Sequence, residues 1–320
     1  AFERIADALD GDSLTFFEFN TLAALLVFET WVPDAIVLEV GLGGRLDAVN
    51  IVDADVAIVV SVALDHMEWL GPDLESIGRE KAGIFRHARP AVCGMAEPPR
   101  ALSDVAEEVG APLLLRGRDF DVVEQADGRW DFRDAHGELT RLPAPALEGV
   151  AQTGNAATAL AALRQLADRL PLDRAAIELG LASVRLPGRF QRVSGAGGIE
   201  WVLDVAHNPA AAATLSASLA LHPVPGRTVA VCGMLDDKDV GGVLGALRDR
   251  VDHWYAATTE GPRGLADTAL AARAQGVGVE MVVAGSVTEA MRRAAREARS
   301  GDRIVVFGSF HTVGPALACV

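Results

Sequence analysis

At 320 residues, with 50% hydrophobic and 23% charged residues, the chain has the composition of a globular protein of about two domains. Its formal charge of -15, with no clustered basic face to offset it, excludes a nucleic-acid or anionic-membrane surface. No apolar run approaches the roughly 18 residues of a membrane-crossing helix, no secretory pattern is present, and Cys93, Cys232 and Cys319 are too dispersed for a disulfide framework or a zinc site; a cytoplasmic protein is expected.

Residue 1 is alanine, and the opening reads as the tail of a helix running into Leu14-Thr15-Phe16-Phe17-Glu18-Phe19. Thr21–Glu29 predicts a helix, which Pro33-Asp34 turns into a first buried strand at Ile36–Val40. Gly41-Leu42-Gly43-Gly44 follows. A dinucleotide fingerprint would need glycine where Leu46 stands, so that reading fails, although glycines here still let a backbone approach a ligand. Asp47, Asn50, Asp53 and Asp55 lead into a second apolar run, Val56–Leu64, which ends at Asp65-His66. Asp73–Phe85 predicts a helix carrying Glu75, Arg79, Glu80 and Lys81, then a strand at Ala91–Gly94 and a helix over about Ala101–Val109. Leu113–Leu142 alternates apolar and polar residues between Asp127-Gly128 and His136-Gly137, as a small antiparallel excursion does.

Helices are predicted at Gln152–Leu170, which opens with Thr153-Gly154-Asn155, and at Asp173–Val184. Leu186-Pro187-Gly188-Arg189-Phe190 then marks a domain boundary, with one domain over 1–186 and the other over 187–320. Beyond it, strands at Trp201–Val205, Thr228–Cys232, His253–Ala257, Glu280–Val283 and Arg303–Phe307 alternate with helices near 210–221, 240–250, 266–275 and 287–299. That rhythm predicts a doubly wound α/β domain, whose ligands would sit beyond the carboxyl ends of its strands.

The candidate site residues gather at such ends, and each has a plainer reading. Glu39 within Val-Leu-Glu-Val and His66 after the second strand either hold a divalent ion that bridges phosphates or form an ion pair at a sheet edge. Of 29 basic residues only Lys81 and Lys238 are lysines, and only a lysine amine can lose its proton and be modified. Lys81 is therefore a phosphate contact, a carbamate-bearing lysine, or half of a surface ion pair. In Asp204-Val205-Ala206-His207-Asn208-Pro209, capping explains Asn208 and Pro209 but leaves Asp204 and His207 to line a crevice. Asp236-Asp237-Lys238-Asp239 and Ser309-Phe310-His311-Thr312 are strand-end loops that are either charged surface or part of the same mouth. Arg189 either reaches a phosphate or is a solvated linker residue. No GxSxG elbow accompanies Ser309, so a hydrolase is not indicated.

The blocks LTFFEFNTLAAL, LEVGLGGRLDAVNIVDAD, LDHMEWLGPDLESIGREKAGIF, LPGRFQ, DVAHNP, GMLDDKD and FGSFHTV, in this order, resemble the bifunctional folylpolyglutamate synthase/dihydrofolate synthase family of the Mur ligase superfamily. The resemblance implies two doubly wound α/β domains, a P-loop ATPase domain and a Rossmann-like C-terminal domain. It implies a cytoplasmic, monomeric ligase that joins L-glutamate to dihydropteroate or a folate, with ATP as co-substrate, through an acyl phosphate. It places Mg2+ on Glu39 and His66, a carbamate on Lys81, ATP on Asn155, Arg189 and Asp204, and the pterin on Phe17, Gly43, Gly44, Arg45 and Asp47. His207 and Ser309 fall near the glutamate. The family's Gly-Lys-Gly-Ser phosphate loop has no counterpart here, since the chain contains no Gly-Lys pair. The expectation is thus a fragment lacking roughly the first hundred residues of the family pattern, and inactive by itself. Two alternatives stay open: another Mur-type amino-acid ligase, and a non-catalytic nucleotide-binding protein that has lost the loop.

Overall fold

The computed structural model describes residues 1–320. The chain divides into two units, one of Ala1–Asp121, Arg133–Gly137 and Ala157–Leu172, the other of Val122–Phe132, Glu138–Ala156 and Asp173–Val320. No helix is long and apolar enough to cross a membrane.

In the first unit the helix Phe16–Trp31 starts before Thr21 because Thr15 and Glu18 form a capping box. The Glu18 N–H donates to the Thr15 hydroxyl (3.2 Å), and the Thr15 N–H donates to the Glu18 carboxylate (2.7 Å). Strands β1 (Ala57–Val59), β2 (Ala91–Cys93) and β3 (Leu113–Leu115) make a parallel sheet in that order. Helices Leu74–Ala82 and Arg100–Val109 supply Ile77, Leu102 and Val105 to the core that Val59 and Cys93 line.

Three expectations change here. Val56–Leu64 is strand only at β1. Leu113–Leu115 belongs to the parallel sheet rather than to the excursion, since three successive leucines offer no polar face to alternate with. Ile36–Val40 forms no strand, because no ladder reaches it: Val37 is 93% exposed, and Glu39 lies in solvent instead of being buried in a sheet. The remaining excursion is a sheet of β4 (Phe120–Glu124), β5 (Trp130–Asp134) and β6 (Gly137–Leu142), with turns at Asp127-Gly128 and His136-Gly137 as expected.

The second unit is built on a six-stranded sheet of order β11-β10-β9-β12-β8-β7. Its strands are β7 (Gln191–Ser194), β8 (Glu200–Asp204), β9 (Thr228–Cys232), β10 (His253–Thr258), β11 (Val282–Ser286) and β12 (Arg303–Phe307). All neighbours run parallel except β7, a partly exposed edge strand with too little apolar content to be read from sequence. In β12, Val305 and Phe307 meet the helices Pro209–Leu221, Val240–Leu247 and Asp267–Gln275, while Ile304 and Val306 meet Val287–Glu297 and Phe310–Leu317. Burial on both faces explains the unbroken apolar run of a central parallel strand. β8, β12 and β9 are adjacent and in register at their carboxyl ends, with Asp204 opposite Phe307 and Phe307 opposite Cys232. The loops after Asp204, Phe307 and Cys232 therefore emerge side by side.

Candidate active site

The structure brings the loop 41–47 together with Phe17 and the Lys81 helix in the first unit, and Arg189 together with Asp204, His207 and Ser309 in the second. In the first unit, the loop 41–47 is folded onto the end of the Lys81 helix. Asp47 closes it, accepting from the Leu42 N–H (2.9 Å) and the Val49 N–H (3.0 Å), the second bond capping the short helix Ala48–Ile51. The Arg45 N–H donates to the Glu80 carbonyl (2.9 Å), its guanidinium pairs with the Glu80 carboxylate (3.0 Å), and Asn50 donates to the Arg45 and Gly83 carbonyls (3.0 and 3.1 Å). At Gly44 backbone meets backbone: a Cβ there would lie 2.8 Å from the Glu80 carbonyl oxygen and 2.9 Å from that of Lys81. Gly43 lies against Leu70, and the half-exposed Phe17 ring lies over Gly41. Loop, helix end and aromatic ring thus pack together, with Gly43 and Gly44 buried and Phe17, Arg45 and Asp47 reaching solvent.

Burial pushes the Lys81 ammonium below its ordinary value, and the neighbouring Asp65 carboxylate opposes that shift. Asp65 stands beside His66 in the loop that follows β1. It also accepts from the His66 N–H (2.9 Å). His66 has φ 51° and ψ 37°, a left-handed backbone uncommon outside glycine, and it stands at the N-cap of the short helix Met67–Leu70. Nowhere in the chain do three histidine, cysteine or carboxylate side chains converge on one point as a cage would need. A magnesium ion does not require such a cage, since it keeps several waters and takes one or two protein ligands plus phosphate oxygens. The solvent-facing Glu39 carboxylate and the half-exposed His66 imidazole suit that use.

In the second unit, Arg189, Asp204, His207 and Ser309 come together at the carboxyl ends of β8 and β12. Asp204 is the hub. Its carboxylate accepts from the Phe190 and Ala206 N–H groups (2.8 Å each), tying the hinge to the strand end, and the Val205 N–H donates to the Gly188 carbonyl (2.9 Å). Burial raises its carboxyl group above the ordinary carboxylate value, against those two N–H donors and the charges of Arg189 and His207. The Arg189 guanidinium sits over the Phe310 ring, 5.2 Å from its centre. His207 places Nδ1 2.9 Å from the Val205 carbonyl, so in the neutral ring Nδ1 carries the proton and Nε2 is the accepting nitrogen. Ser309 is 4% exposed and caps the helix Phe310–Leu317; its oxygen accepts from the Thr312 N–H (3.2 Å) and lies 2.9 Å from the Thr312 hydroxyl. Asn155 is exposed on the helix Gln152–Arg164, with its amide 3.3 Å from Gln152 Oε1. Phe310 opens the helix Phe310–Leu317 rather than lying in a loop, and its only mark in the sequence is an aromatic directly after a strand mouth.

Residues 188–310 match the family model of the Mur ligase glutamate ligase domain. Fold and strand-mouth site therefore place the chain in the class of Mur-type amino-acid ligases. It is 48% identical to the Escherichia coli dihydrofolate synthase/folylpolyglutamate synthase, over 100% of this chain and 73% of that protein. It is also similar to the structure of E. coli FolC in complex with DHPP and ADP (TM-score 0.92, 48% identity, 99% of this chain and 74% of that one). A Yersinia pestis bifunctional folylpolyglutamate synthase/dihydrofolate synthase complexed with AMPPNP and Mn ion matches at TM-score 0.90 and 46% identity, over 99% and 74%. Another structure of that name, with Mn, AMPPNP and L-glutamate bound, matches at 0.89 and 46% over the same shares. The chain belongs to the dihydrofolate synthase/folylpolyglutamate synthase family.

Proposed function

We propose that the chain serves an ATP-dependent ligase that adds L-glutamate to dihydropteroate and to reduced folates. The observation that carries this reading is the pairing of 48% identity with the loop–helix surface around Lys81. The substrate carboxylate attacks the γ-phosphorus of ATP, ADP leaves, and an acyl phosphate forms. The glutamate amine then attacks the acyl carbon and phosphate departs with the former carboxylate oxygen. Phe17, Gly43, Gly44, Arg45 and Asp47 offer the pterin a ring surface and a rigid backbone. Asn155, Arg189 and Asp204 bind ATP, Arg189 as the cation for phosphate and Asp204 as the anchor of the hinge that presents it. His207 Nε2 is placed to accept a proton from the glutamate amine, and Ser309 fixes the start of the helix beside it.

Glu39 and His66 would hold Mg2+, whose charge offsets that of the transferred phosphoryl group. Lys81 is held by burial toward its neutral form, the form that takes up carbon dioxide as a carbamate. That adds a carboxylate on the side of the loop 41–47, and arginine could not replace it. Although 173–186 group with the second unit, we propose a domain boundary at 186/187, just before the glutamate ligase match begins at 188, and a cytoplasmic monomer.

The test is phosphate release by the protein of the complete reading frame carrying these residues, with ATP, Mg2+ and glutamate. Release that requires dihydropteroate or tetrahydrofolate, and that stops without glutamate, supports the ligase. Release indifferent to both pterins overturns it.

A further inference from the structure

Phe310 has no place in the core. It is 61% exposed, whereas its helix is anchored by Thr312, Val313 and Ala316, all buried. What the ring meets there is decided by the packing around it. The hinge turn before β7 rests directly on this helix: Gly188 has φ +74°, and a Cβ there would lie 2.9 Å from Val313 Cγ1 and 3.1 Å from Val205 Cγ1. The backbone on both sides of Arg189 is pinned, through the Gly188 carbonyl to the Val205 N–H and through the Phe190 N–H to Asp204. Phe190 itself has φ 44°, so the turn is held in an uncommon conformation. Ser309 caps the helix one residue before Phe310 and so fixes where the ring stands. Two independently pinned backbones thus bring the Arg189 guanidinium over the Phe310 ring, 5.2 Å from its centre.

We infer that Phe310 is a positioning residue for nucleotide binding: its ring holds the Arg189 guanidinium in the orientation that meets a phosphate. The inference rests on the reading of Arg189 as an ATP contact. A flexible arginine loses rotamer freedom when it binds, and a ring that already restrains it lowers that cost while leaving the N–H donors at the rim of the plane free. Attraction between a cation and a ring face at a partly exposed site makes the effect modest, roughly a three- to tenfold change in affinity.

The test uses the protein of the complete reading frame, ADP as the probe and calorimetry as the readout. Phe310→Leu is expected to weaken ADP binding roughly three- to tenfold with an unchanged melting temperature, since the side chain is outside the core. Phe310→Trp retains the affinity. Trifluorinated phenylalanine at 310, of nearly the same shape with an emptied ring face, behaves like leucine. Phe310→Leu combined with Arg189→Ala binds no more weakly than Arg189→Ala alone. If Arg189→Ala weakens binding and Phe310→Leu or the fluorinated ring does not, or if the two losses add, the inference is overturned. If Arg189→Ala itself binds normally, the assignment of Arg189 to the nucleotide falls, and this inference with it.

Discussion

Gly44 sits against the carbonyl oxygen of Lys81, at a distance that leaves 2.9 Å for a Cβ that glycine does not have. The loop proposed for the pterin and the helix bearing Lys81 therefore meet backbone to backbone, and the Arg45–Glu80 pair and the Asn50 amide add side-chain ties. Gly44→Ala must move either the loop or the helix end. It is expected to destabilise by about 1–3 kcal/mol, the usual cost of forcing atoms into a packed site. Urea unfolding of the variant measures it.

Lys81 also gives a signed dependence on pH. Its pKa is lowered by burial, so from the folded value up to the ordinary 10.5 the unfolded chain binds the additional proton. Stability contributed by Lys81 therefore rises with pH across that window and is level below it. Lys81→Met should flatten that rise in a stability–pH series. In the protein of the complete reading frame, Lys81→Arg should abolish any stimulation of turnover by bicarbonate, because arginine cannot form a carbamate.

Asp204 has the opposite sign. Burial raises its carboxyl pKa above 3.8, so the stability it confers is fully present below 3.8 and is lost as pH rises through the folded value. Asp204→Asn should remove that loss. The amide can, however, accept from only one of the Phe190 and Ala206 N–H groups, and the other is left facing a donor at a cost of about 1–3 kcal/mol. Urea unfolding between pH 4 and pH 7, mutant against parent, separates the two effects.

Charge pairs in this chain are not equivalent. Arg303 is 2% exposed and donates to Glu200 (2.7 Å) and to the Leu219 and His222 carbonyls. Glu200→Ala leaves that guanidinium buried without its carboxylate and should cost about 3–5 kcal/mol. Arg79→Ala, which breaks a solvent-exposed pair with Glu108, should cost far less, because water screens that pair. Thermal melts of the two variants test the ordering.

Most of the second unit could be read from sequence, because its strands are buried on both faces and its helices begin at polar caps such as Asn208 and Ser286. The failures are equally physical. Ile36–Val40 has the composition of a buried strand, but composition does not supply the neighbouring strand that makes a ladder. β7 is at an edge, where half the side chains face water and periodicity fades. In the site, Lys81 stood out through rarity, and Asp204 and His207 through position at a strand end. Asp65 and Phe310 did not, since their roles depend on which side chains the fold brings to them. Glu39 was singled out for a burial that the fold does not give it, so its assignment rests on the family resemblance and on a solvent-facing carboxylate suited to a hydrated ion.

The most direct measurement is the fate of the substrate's carboxylate oxygens. Dihydropteroate labelled with oxygen-18 in both positions is turned over by the protein of the complete reading frame, with ATP, Mg2+ and L-glutamate, and the inorganic phosphate is analysed by mass spectrometry. If an acyl phosphate links ATP cleavage to amide formation, each turnover delivers one labelled oxygen to phosphate and keeps the other in the new amide. Phosphate free of label, with glutamate still incorporated, would contradict the account.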